Sequence, residues 1–185
     1  MTRIKSMALL IFVLVLSQAA ISQKSNTSTV KLDATVESAL TISVNNAQVV
    51  WSTGTGNPLR PGQPANPGSA GVTVTTNWVT NPRIAAVQLY AYFNTSDALS
   101  SSGGFSIPAA QFQISTNAGP MRGVNEAIPG YGAAALELQK QVITDTNRTG
   151  TMTSDLTFNI DLSSLPQLPA DSYTGSLILQ AEATI

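Results

Sequence analysis

From residue 30 to residue 44 apolar side chains fall on alternate positions: Val30, Leu32, Ala34, Val36, Leu40, Ile42 and Val44, broken only at Ser38. The positions between them, Lys31, Asp33, Thr35, Glu37, Thr41 and Ser43, are polar, with Ala39 the exception. Successive side chains of a strand point to opposite faces, so this period buries one set and wets the other. The stretch is longer than the usual strand of about five or six residues, which predicts a break near Ser38 or a strand that passes from one sheet to another. Two readings of its first half stand side by side. Val30, Leu32, Ala34 and Val36 form an assembly strand that fills a groove in a neighbouring subunit, while Leu40, Ile42 and Val44 stay in their own sheet; or all seven serve one domain as a long strand or a bent pair.

The same alternation recurs along the chain. Val49, Val50 and Trp51 predict a short strand. Val72, Val74 and Trp78 share a phase within residues 71–80, as do Val87, Leu89, Ala91 and Phe93 within residues 84–93, with Asn81-Pro82 as the turn between. Tyr90 and Tyr92 take the opposite phase. They are candidate exposed aromatic contacts for a carbohydrate or protein, against the plainer reading of cross-strand packing. Phe112 and Ile114 mark a short strand at 111–115, and Leu156, Phe158, Ile160 and Leu162 a clean one. Residues 133–144 hold good helix formers, yet Leu136, Leu138 and Val142 sit at even spacing, and we read a strand. The final stretch, 173–185, alternates through Tyr173, Leu177, Leu179, Ala181 and Ala183, and its expected place is inside a sheet beside the first strand.

Between these runs lie turns. In residues 52–69, Pro58, Pro61, Pro64 and Pro67 recur at every third position, the period of polyproline II, so an extended, solvated excursion is expected. Residues 117–132 read as an irregular loop and residues 145–154 as a polar turn. The order Asp145, Asn147, Thr149, Gly150 is faintly that of a calcium loop, but Leu156 stands where the closing glutamate belongs. Seven or eight strands with Gly, Pro and Asn turns and no helix predict an all-β chain, an antiparallel β-sandwich.

Composition narrows the function. Arg3 and Lys5, then an uncharged apolar run at 7–16, then small and polar residues make residues 1–22 a signal peptide, leaving 23–185 as a single domain, exported to the periplasm, cell surface or medium. The apolar run is too short for a stable membrane span. The remaining chain carries seven basic residues against ten acidic, without a Lys/Arg cluster, so nucleic acid is not an expected partner. It has no cysteine and no histidine, which excludes disulfides, thiolate metal sites and the histidine-dependent hydrolases. No phosphate loop or other cofactor motif occurs, and no cofactor is expected. Of the carboxylates, Asp155 and Asp161 share the wet side of one strand. Six residues of strand separate them by about 20 Å, too far for acid/base pairing, and a non-enzymatic protein is expected.

The closing segment 168–185, LPADSYTGSLILQAEATI, resembles the end of bacterial spore coat U and chaperone/usher pilin-type domains, in which a Leu-Pro-Ala turn and a Tyr-Thr-Gly pair introduce an alternating last strand. The opening KLDATVESALTISV is similar to the first strand of the same group, and NRTGTMTSDLTFNIDL, residues 147–162, to the strand before the end in secreted bacterial all-β proteins of similar length. Many pilin-type domains carry a cysteine in the first strand, where this chain has Ala39-Leu40. The resemblance implies an immunoglobulin-like fold, periplasmic handling, and assembly in which one subunit lends a strand to the next, with like subunits or a periplasmic chaperone as partners. The function it implies is a structural or adhesive subunit of fimbrial or coat type. The alternative is a free-standing secreted binding module that uses the loops at 52–69 and 117–132.

Overall fold

The computed structural model describes residues 31–185. Val30 and the signal peptide expected at 1–22 lie outside the described residues. The chain divides into two units, Met1–Thr35 and Val36–Ile185. In the first, residues 31–35 form no regular element, and Lys31 pairs with Asp33 at 3.1 Å.

The second unit holds the strands: β1 (Ala39–Val44), β2 (Val72–Val79), β3 (Ala86–Phe93), β4 (Asp97–Ser101), β5 (Ser106–Pro108), β6 (Phe112–Thr116), β7 (Arg122–Gly123), β8 (Ala134–Val142), β9 (Thr149–Ile160), β10 (Tyr173–Thr174) and β11 (Ile178–Thr184). Every pairing is antiparallel. One sheet runs β1-β2-β9-β6-β7, a second β11-β3-β8, and a small third β10-β4-β5. The first two face each other as an all-β sandwich, and the alternating apolar sets meet between them: Val74, Leu156, Ile160 and Ile114 from one, Leu89, Ala91 and Leu136 from the other. Burying such a set is the dominant favourable contribution to folding. The break expected near Ser38 falls where β1 begins, at Ala39.

Strand directions distinguish the two ends of the sandwich. β1 ends, β2 begins and β9 finishes at one end, where Phe112 meets Phe93 edge-on at 5.4 Å. β11 starts at that aromatic end, with Ile178 opposite Tyr92, and finishes at the far end, with Thr184 opposite Ala86. β1 and β11 therefore run in opposite directions.

Four expectations need correction. The polar turn is shorter than 145–154, because β9 begins at Thr149 and continues the apolar phase back through Met152 and the buried Ser154. Gly150 belongs to this strand: the Trp78 ring lies over it so closely that a Cβ would come within 2.5 Å of the indole. Residues 49–51 are not a strand. Val50 instead exchanges hydrogen bonds with Ser69, its carbonyl accepting at 3.1 Å and its N–H donating to the hydroxyl at 3.0 Å.

The proline loop is not a solvated excursion either, since Asn66 is 2% exposed and anchors it. The Asn66 side chain accepts from Arg60 N–H (2.7 Å) and donates to the Ile160 carbonyl (2.9 Å), while the Asn66 backbone N–H donates to Asn159 Oδ1 (2.7 Å) and the backbone carbonyl accepts from the Trp51 indole (2.9 Å). A buried amide with its partners in place fixes a loop that proline alone only stiffens. Finally, the closing stretch is split into β10 and β11, and β11 lies at a sheet edge paired to β3, across from β1 rather than hydrogen-bonded beside it.

Candidate functional site

Two edge strands lie in contact along one border of the sandwich: β1, the last strand of one sheet, and β11, the last of the other. Neither contains a fully buried residue, whereas seven of the eight positions of β3 are buried. Leu40, Ile42, Leu177, Leu179 and Ala183 pack against the core while staying half-exposed. Among the described residues no backbone hydrogen bond joins β1 to β11. Between the end of β1 and the start of β11 a cleft of about 400 Å³ opens onto core side chains: Val44, Val72, Phe93, Phe112, Phe158 and Leu179 form its walls. An unpaired strand edge presents N–H and C=O groups ready to pair with another strand.

The local sequence produces this opening. At the end of β1 Asn45 stays tied to β2, its N–H donating to the Thr73 carbonyl at 3.1 Å and its side chain accepting from Thr73 N–H at 2.7 Å, and the Asn46 side chain then accepts from Gln48 N–H at 3.1 Å in the turn that follows. At the start of β11, Gly175 passes against β4 so tightly that a Cβ would lie 1.8 Å from the Ala98 carbonyl oxygen. Residues 175–177 then carry the chain from the third sheet to the second and leave a gap beside β1.

The opposite side of the sandwich is closed. Arg122 in β7 donates to the Glu137 carbonyl of β8 at 2.9 Å and pairs with Glu126, itself in backbone contact with Ala135. Gln139 of β8 accepts from Ser154 and from Asn117. One seam is thus bridged by polar side chains, and the other carries no backbone hydrogen bond among the described residues and opens into an apolar cleft at one end.

A second cleft of about 1000 Å³ continues from the first through Ala47, Val49, Trp51, Leu99 and Gly175 and reaches Leu59, Asp171 and Tyr173. The Asp171 carboxyl is held below its ordinary range by the Ser172 N–H, while desolvation, then the charge of Asp171, pushes the Tyr173 phenol up.

Of the assembly-strand residues, Leu32 and Val36 are 88% and 85% exposed and Ala34 is exposed; they sit in no strand. Of the two readings of the tyrosine pair, exposed contact and packing, the surroundings are those of packing. Tyr90 is buried, because Tyr131 from the loop at 117–132 folds over it with ring centres 4.3 Å apart, and Tyr92 is half-buried, edge-on to the same ring at 5.4 Å. Tyr131 donates to Glu182 at 2.7 Å and Tyr92 to Gln180 at 3.1 Å. Tyr131 escaped the sequence reading because a lone aromatic in a Gly/Pro-rich loop has no period to reveal it. Asp155 and Asp161 accept from Thr73 and Ser163 respectively. Among the described residues no group of His, Cys, Asp or Glu is gathered to hold a metal ion.

No family model matches the chain. No curated protein matches it. Among solved structures it is similar to the CupB6 tip adhesin from Pseudomonas aeruginosa, at 19% identity and a TM-score of 0.40 over 80% of this chain and 45% of that one. It is also similar to a family 123 glycoside hydrolase from Clostridium perfringens, described for glycolipid glycan hydrolysis, at 13% identity and a TM-score of 0.33 over 78% of this chain and 25% of that one. This chain spans less than half the length of either, and neither alignment is tight enough to assign an activity or a ligand.

Proposed function

We propose that this protein is an exported, non-enzymatic structural or adhesive subunit of fimbrial or coat type, in which Val30, Leu32, Ala34 and Val36 of one copy complete the seam between β1 and β11 of the next. The observation that carries this reading is an exposed alternating apolar segment together with two sheet edges, β1 and β11, that no backbone hydrogen bond joins among the described residues and that end in an apolar cleft. A lent strand would supply backbone hydrogen bonds for strength and alternate side chains for register. No helix among the described residues is long and apolar enough to cross a membrane.

The test is deletion of residues 23–36. On this reading the shortened protein no longer polymerises, and a peptide of the deleted sequence restores its stability. Fibres from the shortened protein, seen by electron microscopy, would sink the idea.

A second reading, a free-standing binding module, is favoured by the larger cleft, whose aromatic residues Trp51 and Tyr173 and hydroxyl-bearing Ser172 and Thr174 suit a carbohydrate or a peptide. A stable monomer that captures immobilised glycans, with capture lost on Trp51→Ala, is its expected behaviour.

A further inference from the structure

On the outer face of the first sheet, the alternation that buries Val74 and Met152 brings hydroxyl-bearing residues out in pairs: Thr41 and Ser43 in β1, Thr73 and Thr75 in β2, Thr151 and Thr153 in β9. Antiparallel pairing sets Ser43, Thr75 and Thr153 in one row across three adjacent strands, and Thr41, Asn77 and Thr151 in the next. The members of these pairs in β1 and β9 are exposed, and the two in the middle strand are half-buried between their neighbours. Each pair repeats along its strand at two residues, about 6.5 Å, and each row repeats across the sheet at about 4.5 to 5.5 Å. Threonine is stiff at χ1, so such an array holds its hydroxyl and methyl groups in place at little entropic cost. Thr151 donates to Asn77 at 2.7 Å and Thr73 to Asp155 at 2.8 Å, while the hydroxyls of the row Ser43, Thr75 and Thr153 have no hydrogen-bond partner among the described residues.

We infer that this face binds ice, its ranks of hydroxyl and methyl groups taking the place of the outermost water layer of a crystal plane. Charge selects the class of partner. The three strands together contain one charged residue, Asp155, at the border of the array with its carboxylate accepting from Thr73. A polyanion finds no cation on this face. A protein partner would be held by aromatic or arginine side chains, and a sugar ring by an aromatic platform; the outward positions of β1, β2 and β9 offer neither, since Trp78 points into the core. What matches is a neutral surface that accepts and donates hydrogen bonds on a two-dimensional repeat. The prism faces of hexagonal ice present ranks of oxygen atoms with repeats close to the strand spacing in one direction and to two residues of strand in the other. Sheet twist of about 20° to 25° between neighbouring strands confines such a match to a few strands, and three is the width of the array. Strand propensity accounts for each threonine singly, but it sets neither the repeat of hydroxyls from strand to strand nor the lack of lysine, arginine and glutamate among them.

The test grows ice slowly from a dilute solution of the purified protein and measures the fraction carried into the ice, beside the inhibition of recrystallisation in a frozen sucrose film. The native protein is expected to be enriched in the ice and to arrest grain growth. Thr75→Lys and Thr153→Lys each put a strongly hydrated ammonium in the row whose hydroxyls are unpartnered, and each should lower the ice-bound fraction roughly tenfold or more with an unchanged urea midpoint. Thr153→Ser, which keeps the hydroxyl and loses the methyl, should fall between native and lysine variant. Ser100→Lys, at an exposed position of β4 in the third sheet, should leave ice binding as it was. The inference does not rest on strand lending, so the chain carrying Leu32→Asp and Val36→Asp should bind ice as the native chain does. Exclusion of the native protein from growing ice overturns the proposal, and so does retention of both lysine variants at the native level. Exclusion from ice together with retention on insoluble cellulose or chitin, lost in the same lysine variants, assigns the face to a neutral polysaccharide and equally overturns it.

Discussion

Single residues divide into those whose surroundings follow from the alternation and those whose surroundings depend on distant partners. Phe158 belongs to the first kind: its even position in β9 faces inward, where it meets Phe112 at 5.8 Å, while Thr157 faces out. Phe158→Ala should cost roughly 3 to 5 kcal/mol and Thr157→Ala under about 0.5 kcal/mol, and equal losses in urea melts would show the phase to be misassigned. Thr76 is of the second kind. It is fully buried in β2, and its hydroxyl has no hydrogen-bond partner. Its position shares the inward phase of Val74 and Trp78, but the period does not say whether the hydroxyl finds a partner. A buried hydroxyl without a partner costs about 1 to 3 kcal/mol, so Thr76→Val should raise the urea midpoint with an unchanged slope; a lowered midpoint would mean that the hydroxyl has a partner after all. Asn66 shows the same limit. Its partners lie up to 94 positions away in sequence, at Ile160, and nothing in its neighbourhood of prolines announces them.

At the scale of elements, strands with both a clear period and a buried face were legible: β2, β3, β6 and β8 lie where alternation put them, β9 overlaps the run at 156–162 but begins at Thr149 in the stretch read as a turn, and even the helix-prone stretch at 134–142 is a strand. β4 and β5 were not legible, because five and three residues offer too little alternation to stand out from a loop. Neither was the covering of the outer face of β3 by the loop at 117–132. That loop makes a pH-dependent clamp. Burial first, and then the hydrogen bond to Glu182, push the Tyr131 phenol well above its ordinary value, and burial raises Tyr90 as well, followed by the charges of Glu137 and Glu182. The folded chain thus favours the neutral phenols, while the unfolded chain ionises near pH 10. The stabilisation is fully present below about pH 10 and is lost as the pH climbs above it. Denaturant midpoints should therefore fall in that alkaline window, and fall less steeply in Tyr131→Phe. Identical slopes for the two proteins would remove the clamp from the explanation.

The molecule as a whole has one border bridged by polar side chains and one that ends in an apolar cleft, and under the proposed function this asymmetry would give assembly a direction. Under the proposed function each subunit has a lending end, its segment at 30–36, and a receiving end, the seam of β1 and β11. A chain carrying Leu32→Asp and Val36→Asp keeps the second and loses the first, because on that reading a carboxylate placed at either position would have to be buried against apolar side chains without a partner. Both side chains are exposed in the single chain, so its own stability should change by less than about 0.5 kcal/mol. Mixed with the native protein it should add to a growing fibre through its seam and then present no segment to the next copy. It is a terminator, and mean fibre length should fall in inverse proportion to the fraction added, read by electron microscopy or light scattering. If the two surfaces were unrelated, the variant would be either excluded, with lengths unchanged, or incorporated without shortening. Either result would break the link between the open seam and the exposed segment, and the monomeric binding module would become the better account of the same cleft.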